Sequence, residues 1–148
     1  MNQPAGRPKP AAPGKTTLPP MALPKTRRAR VLVVDDEPDV VDSIKRALGQ
    51  ALPSVEVATA TSGMQGLDIL RRQAIDLIVT DFKMPRMNGL EFLDEAARVR
   101  PGTPSIMISA FPDPALVVQA TRDFGVRLFI AKPFDLDYFA ETLRGILF

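Results

Sequence analysis

From residue 29 onward, short apolar runs alternate with longer segments in which apolar residues recur every three or four positions. The first apolar run, ARVLVVD, contains four consecutive β-branched or leucine side chains, which suit a strand buried on both faces. The next segment, DVVDSIKRALGQAL, places its apolar residues on one face of a helix. The same alternation continues to the last residue, so we predict five strands and five helices.

The predicted strands are ARVLVVD (29–35), SVEVATA (54–60), IDLIVTD (75–81), TPSIMISA (103–110) and VRLFIAKP (126–133). The predicted helices are DVVDSIKRALGQAL (39–52), SGMQGLDILRRQ (62–73), NGLEFLDEAARVR (88–100), PDPALVVQATRDFG (112–125) and DLDYFAETLRGILF (135–148). In the fourth helix, Asp113 can cap the first turn, Pro114 can follow it, and Gly125 can end the helix with a positive φ. Alternation over short loops favours a parallel sheet with helices on both faces.

Charge is divided unevenly along the chain, although its net charge is only +2. Residues 1–30 hold seven Lys or Arg residues, no acidic residue and seven of the 15 prolines, whereas the remainder holds 12 basic and 17 acidic residues. This segment lacks apolar periodicity and cannot offset its ordering entropy, so we predict a disordered, basic, Pro-rich tail over residues 1–28 and a folded domain over 29–148. The basic end of the tail, TRRAR, is interpreted as a solubilising linker, with weak contact to nucleic acid, membrane or an acidic partner as the open alternative.

The composition excludes several kinds of chemistry, because the chain contains no cysteine and no histidine. Disulfides, thiolate nucleophiles, zinc-thiolate sites and histidine general bases are therefore absent, and a bound metal ion must rely on oxygen ligands. No apolar run approaches the roughly 18 to 20 residues needed to cross a bilayer, and the N-terminus lacks the apolar core of a signal peptide. We expect a cytoplasmic protein.

Polar side chains cluster where the predicted strands end. Asp35, Asp36 and Glu37 lie at the end of the first strand or directly after it. Asp81, Ser109 and Lys132 lie at the ends of the third, fourth and fifth strands. In open parallel sheets, ligands bind beyond the carboxyl ends of the strands. If the first and third strands are neighbours, the three aspartates converge, and a divalent cation would relieve their mutual repulsion. Magnesium, which keeps several waters and shares phosphate oxygens, suits so few oxygen ligands better than calcium.

Each of these residues also has a purely structural interpretation. Aspartates at strand ends commonly form turns or cap helices, and Asp35 or Asp36 could cap a helix whose first turn contains Pro38. Taken alone, Lys132 fits a solvated lysine, and a serine such as Ser109 is common after a strand. Their joint occurrence at predicted strand ends favours a shared site.

The segments DDEP, DFKMPRMNG, SA and KPF, in this order and at these spacings, resemble the receiver (response regulator, CheY-like) domain of bacterial two-component signalling. The similarity covers roughly residues 29–148 and leaves only the tail outside. It implies an α/β, flavodoxin-like, doubly wound parallel sheet of five strands in the order 2-1-3-4-5, with five helices.

The resemblance also implies roles for individual residues. Asp81 is the expected phosphoacceptor, taking a phosphoryl group from a sensor histidine kinase or phosphotransfer protein. Mg²⁺ is the implied cofactor, and its expected ligands are Asp35, Asp36, Asp81 and the backbone carbonyl of Lys83. The other implied site residues are Ser109 and Lys132 at the phosphoryl group, Phe129 as the switch residue and Pro133 after a cis peptide bond.

The resemblance further implies a downstream protein partner that binds the fourth helix, fifth strand and fifth helix, and a homodimer is a second candidate assembly. Direct binding to nucleic acid or membrane is not expected. Because the sequence shows no output domain after Phe148, we expect a single-domain regulator without turnover of external substrates. A haloacid dehalogenase-like phosphatase remains as an alternative, although it requires an aspartate where this chain has Lys83. A docking module that is never phosphorylated is a further alternative.

Overall fold

Five strands alternate with five helices along residues 27–148, the part of the chain that this computed structural model describes. The strands are β1 (Ala29–Val34), β2 (Val55–Ala60), β3 (Leu77–Asp81), β4 (Ser105–Ser109) and β5 (Val126–Ala131). The helices are α1 (Pro38–Ala51), α2 (Gly63–Arg72), α3 (Gly89–Val99), α4 (Pro114–Phe124) and α5 (Leu136–Leu147). All ten predicted elements are therefore present. Residues 1–26 of the tail that was predicted over residues 1–28 lie outside the described residues.

The strands form one parallel sheet in the order β2-β1-β3-β4-β5, which confirms the predicted fold class and strand order. The order reverses between β1 and β3, and this is where sheets of this type form a crevice at their carboxyl edge. The last residues at which β1 and β3 pair with each other are Val34 and Thr80. Asp35 and Asp81 follow them directly, so the sheet register brings both aspartates to the mouth of the crevice.

The sheet separates two hydrophobic cores. One face packs against α1 and α5 around fully buried side chains such as Ile44, Phe139 and Leu143. The other face packs against α2, α3 and α4 around Leu70, Phe92 and other buried side chains. Burial on both faces explains why the strands read as continuous apolar runs rather than alternating patterns. None of the helices within residues 27–148 is long and apolar enough to span a bilayer.

Local capping interactions fix several helix ends. In α4, the Asp113 side chain accepts a hydrogen bond from the Leu116 amide at 2.9 Å, and Gly125 ends the helix with φ of 66°, as predicted. Asn88 and Glu91 form a reciprocal capping box at the start of α3. At α1 the capping position is Glu37, without a side-chain cap, so neither aspartate of the DDEP segment occupies that position.

The arginines of the TRRAR segment contact the folded domain. Arg27 donates two hydrogen bonds to the Asp76 carboxylate, at 2.9 and 3.1 Å, and the Arg30 amide donates to the same carboxylate at 2.7 Å. The Arg28 guanidinium donates to backbone carbonyls of the α1–β2 loop. Arg27 and Arg28, which belong to the predicted tail over residues 1–28, thus contact groups of the folded domain.

Candidate functional site

Three carboxylates meet at the carboxyl edge of the sheet. One carboxylate oxygen from each of Asp35, Asp36 and Asp81 lies within 4.8 Å of the others. Asp35 and Asp81 are 1% and 5% exposed, whereas Asp36 is half-buried. The Asp35 carboxylate also accepts a hydrogen bond from the Glu37 amide at 2.9 Å, which holds the loop between β1 and α1 against the site. The predicted convergence of the three aspartates is thus present in the structure.

Lys132 approaches this cluster from the far side of the crevice. Its ammonium lies 3.1 Å from an Asp35 carboxylate oxygen and 3.3 Å from an Asp81 oxygen. The Lys132 amide donates to the Ser109 carbonyl at 2.9 Å, so the end of β5 is tied to the end of β4. A single ammonium is therefore shared between two buried carboxylates.

The electrostatics of the cluster are set by burial and by the excess of negative charge. Burial raises the pKa of Asp81 to about 6, and the neighbouring charge of Asp35 acts in the same direction, while Lys132 lowers it. Burial alone would lower the pKa of Lys132, but its hydrogen bond to Asp35 and the charges of both carboxylates outweigh that effect and raise it. The ammonium thus stays charged at neutral pH, and Asp81 becomes fully ionised only when the pH rises well above 6.

Ser109 and the aromatic side chains near it complete the edge of the crevice. Ser109 is 4% exposed, and its hydroxyl accepts a hydrogen bond from the Phe111 amide at 3.3 Å. The Phe111 side chain itself projects into solvent and is 89% exposed. Phe129, in the middle of β5, is partly buried against the core formed with α2, α3 and α4. The Lys132–Pro133 peptide bond is cis.

The loop between Asp81 and α3 is held close to the site by a glycine. A Cβ added to Gly89 would lie 2.4 Å from the Asp81 carbonyl oxygen and 3.0 Å from the Phe82 Cα, so a side chain there requires the backbone to shift. The Gly89 amide donates to the Phe82 carbonyl at 2.7 Å. The exposed Lys83 lies in this loop and, with Asp81, lines an open cavity of about 640 Å³ beside the carboxylates.

The residues of the cluster fit a magnesium ion. Their donors are all oxygen, two of the three carboxylates are buried, and one lysine leaves the group with excess negative charge. A divalent cation would reverse the repulsion that raises the pKa of Asp81. Asp35, Asp36 and Asp81 are thus the side chains able to hold the ion.

Glu37 also lies near the site, although the sequence analysis assigned it no role there. The Glu37 carboxylate lies 3.8 Å from the Lys132 ammonium, although its side chain is 66% exposed. Its position directly after the two aspartates of DDEP was the only sequence signal for it. Because it is exposed, its interaction with Lys132 is screened by water.

Residues 31–144 match the family model of the response regulator receiver domain. The chain is 33% identical over 122 residues to a probable chemotaxis protein CheY of Rhizobium etli, covering 80% of this chain and 92% of that protein. The solved structure of chemotaxis protein CheY4 of Vibrio cholerae superposes with a TM-score of 0.73 at 29% identity, over 81% of this chain and 99% of that one. The chain therefore belongs to the response regulator receiver family, as the resemblance implied.

Other relatives are much longer than this chain. The transcriptional regulatory protein GlrR of Escherichia coli is 38% identical over 121 residues, which cover 80% of this chain but 26% of GlrR. The response regulator protein PilR of Pseudomonas aeruginosa is likewise matched over 26% of its length. The chain thus spans about a quarter of the length of these curated relatives.

Proposed function

We propose that this chain is a phosphoryl-accepting signalling protein in which Asp81 is the acceptor. The observation that carries the proposal is the position of the Asp81 carboxylate, which is buried at the end of β3 and lies 3.3 Å from the Lys132 ammonium and close to two further carboxylates. A carboxylate oxygen of Asp81 attacks the phosphorus of a phosphohistidine on a sensor kinase or phosphotransfer protein. The O–P bond of an acyl phosphate forms while the N–P bond of the donor breaks.

The neighbouring side chains supply what this transfer requires. Asp35 and Asp36, together with the Lys83 carbonyl, would hold Mg²⁺, which when bound neutralises the repulsion between the anionic nucleophile and the anionic phosphoryl group. Lys132 holds a second positive charge against Asp81. The Ser109 hydroxyl, whose hydrogen is not engaged by the Phe111 amide, can donate to a phosphoryl oxygen.

The same features argue against turnover of an external substrate. A phosphatase that uses an aspartate nucleophile requires a second acid to protonate the leaving group. The corresponding position, two residues after Asp81, is the exposed Lys83, and the chain has no histidine to replace that acid. We therefore infer self-phosphorylation and slow loss of the phosphoryl group, without an enzymatic cycle on other molecules.

We also propose that phosphorylation alters the face formed by α4, β5 and α5, and that this α4–β5–α5 face controls a protein partner. Phe129 lies within it, partly buried against the core. The resemblance to receiver domains implies that this ring turns inward when Ser109 moves toward a phosphoryl group. The Rhizobium relative, which the chain covers almost completely, supports a receiver that acts without an attached output domain.

Incubation with acetyl phosphate and Mg²⁺, followed by intact mass measurement, tests the acceptor. We expect the mass of one added phosphoryl group, which is absent in Asp81→Asn and absent when Mg²⁺ is chelated. The matched control is Asp94→Asn, an exposed carboxylate on α3 paired with Arg98, which should be phosphorylated like the unmodified chain. Continuous release of phosphate would instead favour a phosphatase, and the absence of any adduct would favour a docking module.

A second measurement on the phosphorylated protein tests the switch. Amide resonances of residues 110–140 should shift, and they should stay in place in Asp81→Asn treated in the same way. A phosphorylated sample whose amides in this range do not move would contradict the proposed role of the α4–β5–α5 face.

A further inference from the structure

A second cavity lies at the opposite edge of the sheet, where β4 and β5 begin. It has a volume of about 250 Å³, and its wall includes Arg100, Thr103, Ser105, Phe124, Gly125 and Arg127. Ser105 is the first residue of β4 and Ser109 the last, so the cavity is separated from the candidate phosphorylation site by the length of the strand, about 13 Å. Pockets for drug-sized ligands span about 300 to 1,000 Å³, so this cavity suits a smaller molecule.

Two buried polar atoms in this wall have no hydrogen-bond partner within residues 27–148. They are the hydroxyl oxygen of Ser105, a residue that is 1% exposed, and the Nη1 atom of the Arg127 guanidinium. An unpartnered buried polar group destabilises a fold, and the destabilisation is larger when the group is charged. Both residues line the same cavity, so a group bound there could complete the hydrogen bonding of these atoms.

A β-bulge directs Arg127 into this position. Ser105 pairs with Val126 and Ile106 pairs with Leu128, so Arg127 is the extra residue between two regular pairs. Bulges interrupt the ladder locally and re-aim the side chain of the extra residue. Arg127 therefore lies at a local interruption of the β4–β5 ladder and lines the cavity.

The cavity is positively charged and lacks a compensating acid. Arg100, whose Nε donates to the Leu70 carbonyl at 2.8 Å, provides a second guanidinium in the wall. No aspartate or glutamate lines the cavity, and Arg127 forms no ion pair in the part of the chain that the structure describes. A guanidinium that has a buried nitrogen and no counter-charge is unfavourable, and its planar fork matches a carboxylate or phosphate group.

We propose that this cavity binds a small oxyanion, with Arg127 and the Ser105 hydroxyl as its principal contacts and Arg100 as the second positive charge. The shared chemistry is a compact group of negatively charged oxygens, which a free phosphate or a small carboxylate can supply. The site is independent of phosphoryl transfer, since it involves none of the carboxyl-edge residues. Binding there would supply the missing partners of both buried atoms and stabilise the start of β4 and β5.

The test is a titration of the full chain in buffer freed of divalent metals by a chelating resin. Inorganic phosphate and succinate are added in separate arms, with chloride at matched ionic strength as the reference, and amide resonances of Gly102, Ser105 and Gly125 are followed. We expect saturable shifts at these amides with one or both anions. The arm with the tighter binding identifies the oxyanion class.

The variant Arg127→Gln should weaken binding at least tenfold, and Ser105→Ala should weaken it measurably. The matched control is Arg122→Gln, an exposed arginine of α4 paired with Asp123, which should leave the affinity unchanged. If Arg127→Gln loses its dispersed amide spectrum, Ser105→Ala decides by the same criterion. The proposal is overturned if chloride produces the same amide shifts as phosphate and succinate. It is also overturned if the folded variant used for the decision binds the anion as tightly as the unmodified chain.

Discussion

At the scale of single residues, the candidate site depends on the Asp81 carboxyl group, which is buried next to other negative charges. Asp81 is nearly enclosed by protein, and two other carboxylates lie within 4.8 Å of it. One ammonium, shared with Asp35, offsets this repulsion only in part. Such an arrangement destabilises the metal-free fold and favours the binding of positive charge.

We predict that Asp81→Asn stabilises the metal-free protein above neutral pH. The pKa of Asp81 is raised from 3.8 to about 6, so the folded chain retains a proton that the unfolded chain has lost. Stability therefore falls as pH rises from about 4 to about 6, and above this range the loss amounts to as much as about 3 kcal/mol. Urea unfolding at pH 7.5 and at pH 4 should show an advantage for the variant that disappears at the lower pH.

Addition of Mg²⁺ should reduce the difference in unfolding free energy between Asp81→Asn and the unmodified chain. The reason is that a cation that binds only the folded state stabilises the unmodified chain more than the variant. Asp94→Asn serves as the control, since its exposed carboxylate lies outside the cluster. An Asp81→Asn chain that is less stable than the unmodified one at pH 7.5 would contradict the prediction.

At the scale of secondary-structure elements, the site is positioned by short contacts between strand ends and the loops that follow them. The capping box of Asn88 and Glu91 fixes where α3 begins, and Gly89 lets that turn approach the Asp81 carbonyl. The hydrogen bond from Lys132 to the Ser109 carbonyl links the ends of β4 and β5. Backbone interactions thus determine where the side chains of the site lie.

Substitution of Gly89 by alanine should destabilise the fold by about 1–3 kcal/mol and slow phosphorylation by acetyl phosphate. The reason is the 2.4 Å approach between the new Cβ and the Asp81 carbonyl oxygen, which forces either the acceptor strand or α3 to move. Gly49→Ala provides the control, because a Cβ at this exposed α1 position meets no atom within 4 Å and should raise stability by up to about 1 kcal/mol. Equal effects of the two variants would contradict the steric argument.

The sequence predicted the secondary-structure elements well because two signals were strong, the apolar runs of the strands and the spacing of apolar residues every three or four positions in the helices. Apolar runs marked strands buried on two faces, and Asp113, Pro114 and Gly125 marked the ends of α4 as the structure has them. The bulge at Arg127 could not be predicted, because it depends on how β5 is aligned with β4 rather than on either sequence alone. For the same reason the cavity beside Ser105 had no signal in the sequence.

At the scale of the whole molecule, residues that are distant in sequence form contacts at the edge of the sheet where β1 begins. Arg27 precedes β1 and Asp76 precedes β3, yet the two side chains form a bidentate pair. The composition of residues 1–30 gave no signal for this pair, because the partner of Arg27 lies 49 positions away in the sequence. Pairings of this kind require the three-dimensional fold before they can be recognised.

Removal of this pair in Arg27→Ala should lower the free energy of unfolding by about 1 kcal/mol. The Asp76 side chain is 12% exposed, so the lost interaction is only partly screened, and the remaining carboxylate keeps just one amide partner from Arg30. The control is Arg122→Ala, which removes an exposed guanidinium beside Asp123. Chemical denaturation should show a clearly smaller loss of unfolding free energy in this control than in Arg27→Ala. A loss in Arg27→Ala no greater than in this control would exclude a structural role for the pair.

The two edges of the sheet carry opposite charge. Carboxylates predominate where the strands end, at Asp35, Asp36 and Asp81, whereas guanidinium groups such as those of Arg100 and Arg127 gather where strands begin. This separation gives the domain an electric dipole along the strand direction. A charged molecule approaching in solution therefore exerts a torque on the domain before contact, so encounters are oriented rather than random, and added salt should slow them.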